Sequence, residues 1–389
     1  MFWCRLLPWE YGIRNLFRRP LRSGLTLFAL TTVILLILVA VGFIRGLEKS
    51  LATSADPRVA IVFALGMGEN LEYSSIPART ADLLAANLEG VQDRYGRRYV
   101  SAELYSATQI AVEAADEPAM GLVRGVTPDA LLVHRQVGLI EGTWPGPGEV
   151  LVGRLAATKL GVAPGELAVG RTIRMEGAAW RISCRFDACG SVFGAEVWCR
   201  LDDLQQAMQR QDLSLVAVTL RPDAAFAEVD LFCKQRRDLD LQAIRETDYY
   251  AALQKDYRPV RTLVWMVVAM MSAAGVFAAL NTMYGAVVGR ARELATLRTL
   301  GFSRRAILLS VIQEGVILAS AASLAAWLLA IATVGGLAVR FTMGAFELDL
   351  DNVAVLVGCG AGMLLGLVGA IPPAMRALRM PIVDGLKSV

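Results

Sequence analysis

Four long stretches of the chain are almost free of charged side chains. Leu25–Ile44, Thr262–Val288 and Val353–Met375 contain no Asp, Glu, Lys or Arg, and Ala306–Val339 contains only Glu314. A helix needs roughly 20 apolar residues to cross about 30 Å of hydrocarbon. The pattern therefore predicts four membrane-spanning helices. It excludes a freely soluble enzyme, a disordered chain and a nucleic-acid-binding module.

The distribution of the remaining charges predicts the orientation of the chain in the membrane. Residues 1–24, 289–305 and 376–389 are each net positive, whereas residues 340–352 are net negative. Because short basic segments stay in the cytoplasm, we expect a multi-pass protein of the inner (plasma) membrane with both termini inside. We interpret the first apolar stretch as a retained helix, because it is longer than the roughly 7–15 residues typical of a cleaved signal peptide.

The predicted organisation has one span, a large external domain and then three clustered spans. The predicted boundaries are a cytoplasmic segment at 1–24, spans at 25–45, 259–288, 304–339 and 353–375, an extracytoplasmic domain at 46–258, a cytoplasmic helix at 289–303, an external loop at 340–352 and a cytoplasmic tail at 376–389. The external loop carries Glu347, Asp349 and Asp351, which alternate with uncharged residues and which we expect in a solvated turn.

The external segment mixes strand and helix patterns, so we predict an α+β domain. Its predicted strands are Leu104–Val112, Gly121–Val126, Glu149–Val152, Thr172–Met175, Trp180–Cys184, Val197–Arg200 and Leu215–Leu220. Its predicted helices are Thr80–Leu88, Gly153–Leu160, Leu201–Arg210 and Ala224–Arg236. The ends of the segment should form two helical stalks, the second capped by Asp248 and ending at Pro259.

Candidate chemistry in the chain is sparse. The sequence contains no G-x4-G-K-[ST] phosphate loop and no G-x-S-x-G elbow. Its only histidine, His134, is expected on the surface or in a loop. The external cysteines, Cys184, Cys189, Cys199 and Cys233, are either bridged or buried as free thiols, and sequence does not choose a pairing. We expect no enzyme, no metal site and no cofactor in this chain.

The segment between the second and third spans has the pattern of a short helix with defined ends. Arg290, Leu294, Leu297 and Gly301 recur at helical spacings. Gly301 suits the left-handed position after a helix, and Ser303 is a candidate cap for the next one. The pattern alone allows a helix that docks a protein or one that lies on lipid.

At this segment the sequence resembles MacB/FtsX-like ABC transporter permeases. Residues 290–301, RARELATLRTLG, resemble the family signature R-x-R-E-[IL]-x-x-L-R-[AT]-[LM]-G. The N-x-M element at Asn281, the acidic Glu314, the start at 14–26 (RNLFRRPLRSGLT) and the end at 374–386 (AMRALRMPIVDGL) resemble the family as well. The resemblance covers all four spans and extends only weakly over the external domain.

The resemblance implies the permease of an ATP-driven export or mechanotransmission complex that works as a homodimer. Its segment 289–303 would be a coupling helix that docks on an ABC ATPase subunit, which binds ATP and Mg²⁺ itself. Only 24 residues precede the first span, so we expect this ATPase on another chain. A periplasmic adaptor (membrane fusion protein) or a lipoprotein is a further expected partner. The alternative is an FtsX-like scaffold that activates a cell-wall hydrolase without transport.

The resemblance also implies roles for individual residues. Leu294, Leu297 and Leu300 would seat the coupling helix, which ends at Gly301, while Arg290, Arg292, Glu293 and Arg298 would contact the ATPase or lipid headgroups. Independently of the resemblance, intramembrane carboxylates are costly, so we expect Glu314 to contact Arg304 or Arg305 rather than to relay protons. Gly358, Gly362 and Gly366 form a small-xxx-small ladder that predicts close helix packing.

Overall fold

The computed structural model describes residues 16, 18, 20–68, 70–113, 117–341 and 344–379, apart from the side chains of residues 22 and 377. Most of the basic N-terminal segment and the end of the C-terminal tail therefore lie outside the described residues. The predictions made for residues 1–15 and 380–389 stay predictions.

The helices and strands of the described residues follow the chain in this order. The helices are α1 (Pro20–Ser54), α2 (Thr80–Asn87), α3 (Ala130–Val133), α4 (Ala156–Leu160), α5 (Leu201–Met208), α6 (Phe226–Gln235), α7 (Glu246–Asp256), α8 (Arg258–Val288), α9 (Ala291–Thr299), α10 (Arg304–Val334) and α11 (Asn352–Arg379). The strands are β1 (Val59–Ala64), β2 (Asp93–Arg94), β3 (Arg97–Arg98), β4 (Val100–Val112), β5 (Ala119–Val126), β6 (Gly138–Gly142), β7 (Glu149–Gly153), β8 (Thr172–Met175), β9 (Ala178–Asp187), β10 (Val197–Arg200), β11 (Leu215–Thr219), β12 (Leu241–Arg245), β13 (Ala338–Phe341) and β14 (Gly344–Glu347).

The chain divides into two compact units. One, which we call the bundle, comprises Met1–Arg45, Pro259–Leu337 and Leu348–Val389. The other, which we call the lobe, comprises Gly46–Arg258 and Ala338–Glu347. The short hairpin between the third and fourth long helices therefore belongs to the lobe, whereas sequence suggested an isolated loop.

Besides α9, the described part of the bundle contains four helices that are long and apolar enough to cross a membrane. They lie at Ser23–Ser54, Arg258–Val288, Arg304–Val334 and Asn352–Arg376. Their shared core is aliphatic, as expected for sequences rich in Leu, Ile, Val and Ala. Its buried residues are Leu30, Ile34, Leu38, Ala279, Leu318, Ala322, Ala326, Ala330 and Leu365. The predicted class, four long apolar helices with an α+β domain, is confirmed.

Six strands of the lobe pair in a closed ring. The order around the ring is β4, β5, β10, β7, β9 and β8, and β8 pairs with β4 again. Alternate residues point inward, so Leu104, Val123, Val150, Ile182 and Val197 form part of one apolar core together with the side chains of α4 and α5.

A second part of the lobe sheet extends from β4. Strand β11 pairs with the start of β4, β1 pairs with β11, and β12 pairs with β1, all antiparallel. Helices α2 and α6 cover this part and contribute Leu84, Leu88, Val229 and Phe232 to a separate core. The seven strands predicted from sequence are present with shifted ends, but the sequence did not predict β1, β6 and β12 of the main sheet or the short hairpin strands β2, β3, β13 and β14.

The acidic residues after the third long helix do not form a solvated turn. Glu347 lies in β14, and its Oε1 accepts from Arg154 Nη1 at 2.5 Å. Asp351 accepts from Arg45 Nε and Nη2 at 2.8 and 2.6 Å, and its Oδ1 caps α11 by accepting from the Ala354 N–H. The prediction of a solvated turn was wrong because the ionic partners of Glu347 and Asp351 are far away in the sequence.

The structure also shows the environment of His134 and of the four external cysteines. His134 lies in the loop after α3, as one of the two expectations had it, but it is only 3% exposed, so the other expectation, a surface position, was wrong. The four external cysteines are free thiols, three of them buried and Cys189 exposed. The sequence could not distinguish these outcomes, because burial and pairing depend on distant parts of the chain.

The second stalk also begins earlier than predicted. Helix α7 starts at Glu246 after Arg245, and Asp248 lies in its first turn rather than at its cap. Tyr257 separates α7 from α8, so the interruption comes just before Pro259. The first stalk is the end of α1, where Leu47, Ser50, Leu51 and Ser54 are buried.

Candidate functional site

Helix α9 has well-defined ends, as its sequence predicted. Gly301 follows it with a φ of +92°. The Gly301 N–H donates to the Arg298 carbonyl and the Phe302 N–H donates to the Leu297 carbonyl, both at 3.2 Å. This pair of bonds is a Schellman motif. Ser303 then caps α10, since its Oγ accepts from the Ala306 N–H at 3.2 Å. The hydrogen bonds at Gly301 and Ser303 therefore fix the short link, residues 300–303, between α9 and α10.

The apolar side of α9 packs inside the chain. Leu294 is 8% exposed and lies in a cluster with Val287, Ile307, Val311, Ala374 and Leu378. Leu297 packs partly buried against the same cluster. Sequence analysis expected both leucines to seat the helix on a partner. In the structure both leucines pack against residues of α8, α10 and α11, and a role in seating α9 on a partner stays a prediction.

The opposite side of α9 is exposed. Arg292, Glu293, Thr296 and Thr299 are exposed along it, and Leu300, which follows the helix, is 68% exposed. An exposed leucine at the end of a fixed, mixed-charge helix is suited to contact with another surface. Of the three leucines singled out from sequence, Leu300 alone lies mostly in the open.

Arg290 and Glu314 form a buried ion pair at the base of α9. Arg290 Nη2 donates to both carboxylate oxygens of Glu314, at 3.0 and 2.9 Å, and Arg290 Nε donates to the Ala286 carbonyl at 3.1 Å. The two side chains are only 9% and 10% exposed. Glu314 thus contacts an arginine, but Arg290 rather than the expected Arg304 or Arg305.

Arg290 therefore has a different place from the one predicted. Sequence analysis put it among the residues that contact an ATPase or lipid, whereas the structure buries it inside the chain. Arg298 is half-buried, and its Nη1 lies 3.5 Å from the Leu378 carbonyl near the end of α11. Both arginines connect the α9 region to neighbouring helices of the bundle.

The glycine ladder on α11 lies at close helix contacts. A Cβ on Gly358 would meet Leu38 of α1, and one on Gly362 would lie 2.5 Å from Ser323 Oγ and 2.6 Å from Ile34 Cδ1. A Cβ on Gly366 would lie 2.5 Å from Ala319 Cβ and 2.9 Å from the Gly315 carbonyl oxygen. The ladder thus lies against α1 and α10.

Sequence analysis missed Gly315, the partner of Gly366. A Cβ on Gly315 would lie 3.0 Å from the Gly366 carbonyl oxygen and 2.9 Å from Ala370 Cβ. Its position directly after Glu314 is the available signal, because a small residue beside an intramembrane charge permits close helix approach. The ion pair and this close contact of α10 with α11 are therefore neighbours along α10.

The described residues show no sign of a metal centre. No group of three or more His, Cys, Asp or Glu side chains within them is placed to hold a metal ion. The features of the bundle that carry information about function are thus the exposed side of α9 and its internal connections.

Comparison with known families gives two matches that together cover most of the chain. Residues 23–230 match the MacB-like periplasmic core domain, and residues 265–382 match the FtsX-like permease C-terminal domain. No curated protein matches the chain.

Several solved structures resemble about half of the chain at low sequence identity. The periplasmic region of MacB from Actinobacillus actinomycetemcomitans is 10% identical, with a TM-score of 0.39, over 52% of this chain and 94% of that one. The extracellular domain of YknZ from Gram-positive bacteria is 13% identical, with a TM-score of 0.35, over 48% and 99%. A domain of a putative permease from Porphyromonas gingivalis is 17% identical, with a TM-score of 0.34, over 48% and 88%.

Proposed function

Because the chain belongs to the MacB/FtsX-like family of ABC transporter permeases, we propose that it couples ATP hydrolysis on a separate subunit to movement of its own lobe. Members of this family are permease components that work with an ABC ATPase, and they are multi-pass proteins of the inner membrane. In the proposed complex, the ATPase binds ATP and Mg²⁺ in the cytoplasm, α9 is its docking element, and the lobe moves outside the membrane.

The observation that carries this proposal is the two-sided placement of α9. One side is fixed to three long helices through Leu294, Leu297 and the Arg290–Glu314 pair. The other side exposes Arg292, Glu293 and Leu300. A helix that only lay on lipid would be expected to turn its leucines toward the acyl chains. Here two of the leucines face inward and the exposed side is mostly polar, which favours a protein partner.

The charge distribution supports an orientation with α9 in the cytoplasm. The 289–305 segment is net positive, and residues 46–258 are net negative. By the positive-inside rule, we expect both termini in the cytoplasm and the lobe outside. The lobe would there act on a periplasmic adaptor or a lipoprotein, and the basic residues near α9 would meet lipid headgroups at its rim.

The proposed complex contains two copies of the permease. Among the four long helices, α8 has the smallest buried share inside the chain, 17% of its most apolar segment against 39–44% for the other three. Trp265, Met266, Met270 and Phe277 are exposed along it. An apolar helix that packs so little on its own chain is available to a second copy or to lipid.

We expect substitutions on the exposed side of α9 to release the ATPase. In full-length protein purified with its ATPase from native membranes, Leu300→Asp and Glu293→Lys should each reduce co-purification at least about tenfold, since loss of a central contact typically costs 1–2 kcal/mol or more. Leu231→Asp is the matched control, because Leu231 is an exposed leucine of the lobe, 55% accessible. Undiminished ATPase binding by both α9 variants would refute the docking assignment.

The partner of the lobe distinguishes export from cell-wall regulation. Cross-linking of the full-length protein in native membranes, followed by identification of what the lobe captures, should yield an adaptor or a lipoprotein. Capture of a cell-wall hydrolase instead would favour the FtsX-like scaffold over the export complex.

A further inference from the structure

Five ionisable side chains are buried together on the outer face of the strand ring. They come from β4, β5, the segment after α3, the turn before β10 and the start of α7, and we call them the stalk cluster: Glu103, Arg124, His134, Glu196 and Glu246. Each is at most 6% exposed. Burial of so many charges is costly unless they are paired, so their arrangement requires explanation.

Arg124 is at the centre of the cluster. Its Nε and Nη2 donate to both carboxylate oxygens of Glu196 at 2.7 Å, and its Nη1 donates to Glu103 Oε2 at 2.6 Å. The Trp198 indole N–H also donates to Glu196, at 2.7 Å. These contacts pair the arginine with two carboxylates on the wall of the ring.

His134 extends the cluster toward the second stalk. Its Nε2 lies 2.6 Å from Glu103 Oε1, whereas its Nδ1 lies 4.0 Å from Glu246 Oε1 and has no hydrogen-bond partner. A small movement at the start of α7 would convert the longer contact into a direct hydrogen bond. Of the two ring nitrogens of His134, only Nε2 thus has a hydrogen-bond partner.

Both stalks end at this cluster. Glu246 is the first residue of α7, and its Oε2 accepts from the N–H of Asp56, two residues after α1. The adjoining end of α1 is fixed as well, because Ser54 Oγ accepts from the Val192 N–H at 2.9 Å. Leu51 of α1 and Tyr249, Tyr250 and Leu253 of α7 line the small cavity beside the cluster.

We propose that the stalk cluster is a pH-responsive contact. It holds the start of α7 on the strand ring while the positive and negative charges of the cluster balance, and it loosens α7 when the cluster becomes net negative. Transmission of movement through the stalks rests on the proposed function, but the contact itself does not. Because an external lobe meets the pH of its surroundings, the cluster would regulate how firmly the stalks hold the lobe.

The protonation states of the cluster give the direction of the effect. Burial would lower the pKa of His134, but the charge and hydrogen bond of Glu103 outweigh it and raise that pKa above its ordinary value of 6.5. Burial raises the pKa of Glu246 to about 7, against the effect of His134. Burial also opposes ionisation of Glu103, but His134 and Arg124 lower its pKa to about 2. Tyr105 and Tyr250 stay neutral, since burial raises the pKa of both well above 10.

Two of these groups lose their stabilising protonation as the pH rises. His134 contributes stability below its unfolded pKa of about 6.5, and that contribution disappears as the pH rises through its higher folded pKa. Glu246 contributes in its protonated form below about 4.3 and loses that contribution as the pH rises through its folded pKa near 7. Glu103 does not change above neutral pH. Below neutrality the cluster holds two positive and two negative charges, and above it the cluster becomes negative.

The cavity beside the cluster can admit water when Glu246 ionises. The cavity has a volume of about 30 Å³, and its lining includes Glu246 and His134. Since a cavity needs roughly 10–15 Å³ to hold a water molecule, this one has room for water. Hydration of an ionised Glu246 there would draw the start of α7 away from the ring.

The test uses the full-length chain in lipid nanodiscs and needs no ATPase. His134 is the only histidine, so ring-labelled protein gives a single NMR titration, which we expect to have a midpoint above 6.5. After correction for the intrinsic rate, backbone amides of 247–253 should exchange about tenfold faster at pH 8.5 than at pH 6.5, as for a change of about one pKa unit. A midpoint at or below 6.5 would overturn the proposal.

Variants separate the cluster from general effects of pH. Glu246→Gln imitates the protonated carboxyl and should remove most of the pH dependence of exchange, whereas Asp248→Asn, an exposed carboxylate in the same first turn, should keep it. His134→Gln should exchange rapidly already at pH 6.5. Wild-type pH dependence in Glu246→Gln would contradict the proposal even if His134→Gln fails to fold. Loss of ATPase binding by the α9 variants has no bearing on these measurements.

Discussion

Replacing Glu314 by Ala is expected to destabilise the bundle more than any other single truncation near α9. The change leaves the Arg290 guanidinium buried without the carboxylate that both of its short contacts reach. Removal of one partner of a buried ion pair typically costs about 3–5 kcal/mol. The thermal unfolding midpoint of the full-length protein in detergent should therefore fall by many degrees.

Matched variants show whether the stability depends on the buried Arg290–Glu314 pair or on any change of charge near α9. Arg292→Ala removes an exposed arginine two residues away and should leave the midpoint nearly unchanged, because exposed ionic contacts contribute about 0–1 kcal/mol. The exchange of partners in Arg290→Glu with Glu314→Arg should recover part of the loss. Equal midpoints for Glu314→Ala and Arg292→Ala would show that the buried pair does not hold α9.

Replacing a glycine of α11 by alanine should have opposite effects on stability at Gly366 and at Gly360, which lie six residues apart. A Cβ on Gly366 would lie 2.5 Å from Ala319 Cβ and 2.9 Å from a backbone oxygen, whereas a Cβ on Gly360 has nothing within 4 Å. Overpacking typically costs about 1–3 kcal/mol, while Gly→Ala in an open helix position gains about 1 kcal/mol.

Gly366→Ala should consequently lower the unfolding midpoint and Gly360→Ala should leave it unchanged or raise it. The same measurement in detergent micelles serves for both variants, and each controls for the helix propensity of the other. A midpoint for Gly366→Ala at or above that of Gly360→Ala would mean that α10 and α11 do not approach as closely as described.

Much of the bundle could be predicted because its signals are local. Charge-free runs longer than the membrane is thick predict spans, and Gly301 and Ser303 mark helix ends by conformation and hydrogen bonding within a few residues. The periodicity of Leu294 and Leu297 also predicted a helix. It did not say which side faces the chain's own core, where the structure places Leu294 and part of Leu297. Their role in seating α9 on a partner stays a prediction.

The contacts that could not be predicted are those made across long sequence separations. Arg290 meets Glu314 across a turn and another helix, and Glu347 meets Arg154 across 193 residues. His134 is buried only because Glu103, Trp198 and Phe193 surround it. Strand β1 is a continuous apolar run, VAIVFA, which carries no alternating pattern because it is buried on both faces.

The stalk cluster and α9 have complementary places in the proposed mechanism. Helix α9 would receive the movement of the ATPase and pass it to α8, α10 and α11 through Arg290 and Leu294. The stalks would deliver movement to the lobe, where Glu246 and Ser54 fix them. A weakened contact at either end should reduce transmission without affecting ATP binding itself.

Nucleotide-driven movement of the lobe is the most direct test of this mechanism. A spin label at the exposed Cys189, with Cys4 and Cys359 replaced by Ser, reports the distance between the two lobes of the proposed dimer in nanodiscs with its ATPase. We predict that trapping ATP shifts this distance relative to ADP in the wild type and not in Leu300→Asp. An unchanged distance in a complex that binds and hydrolyses ATP would contradict the account.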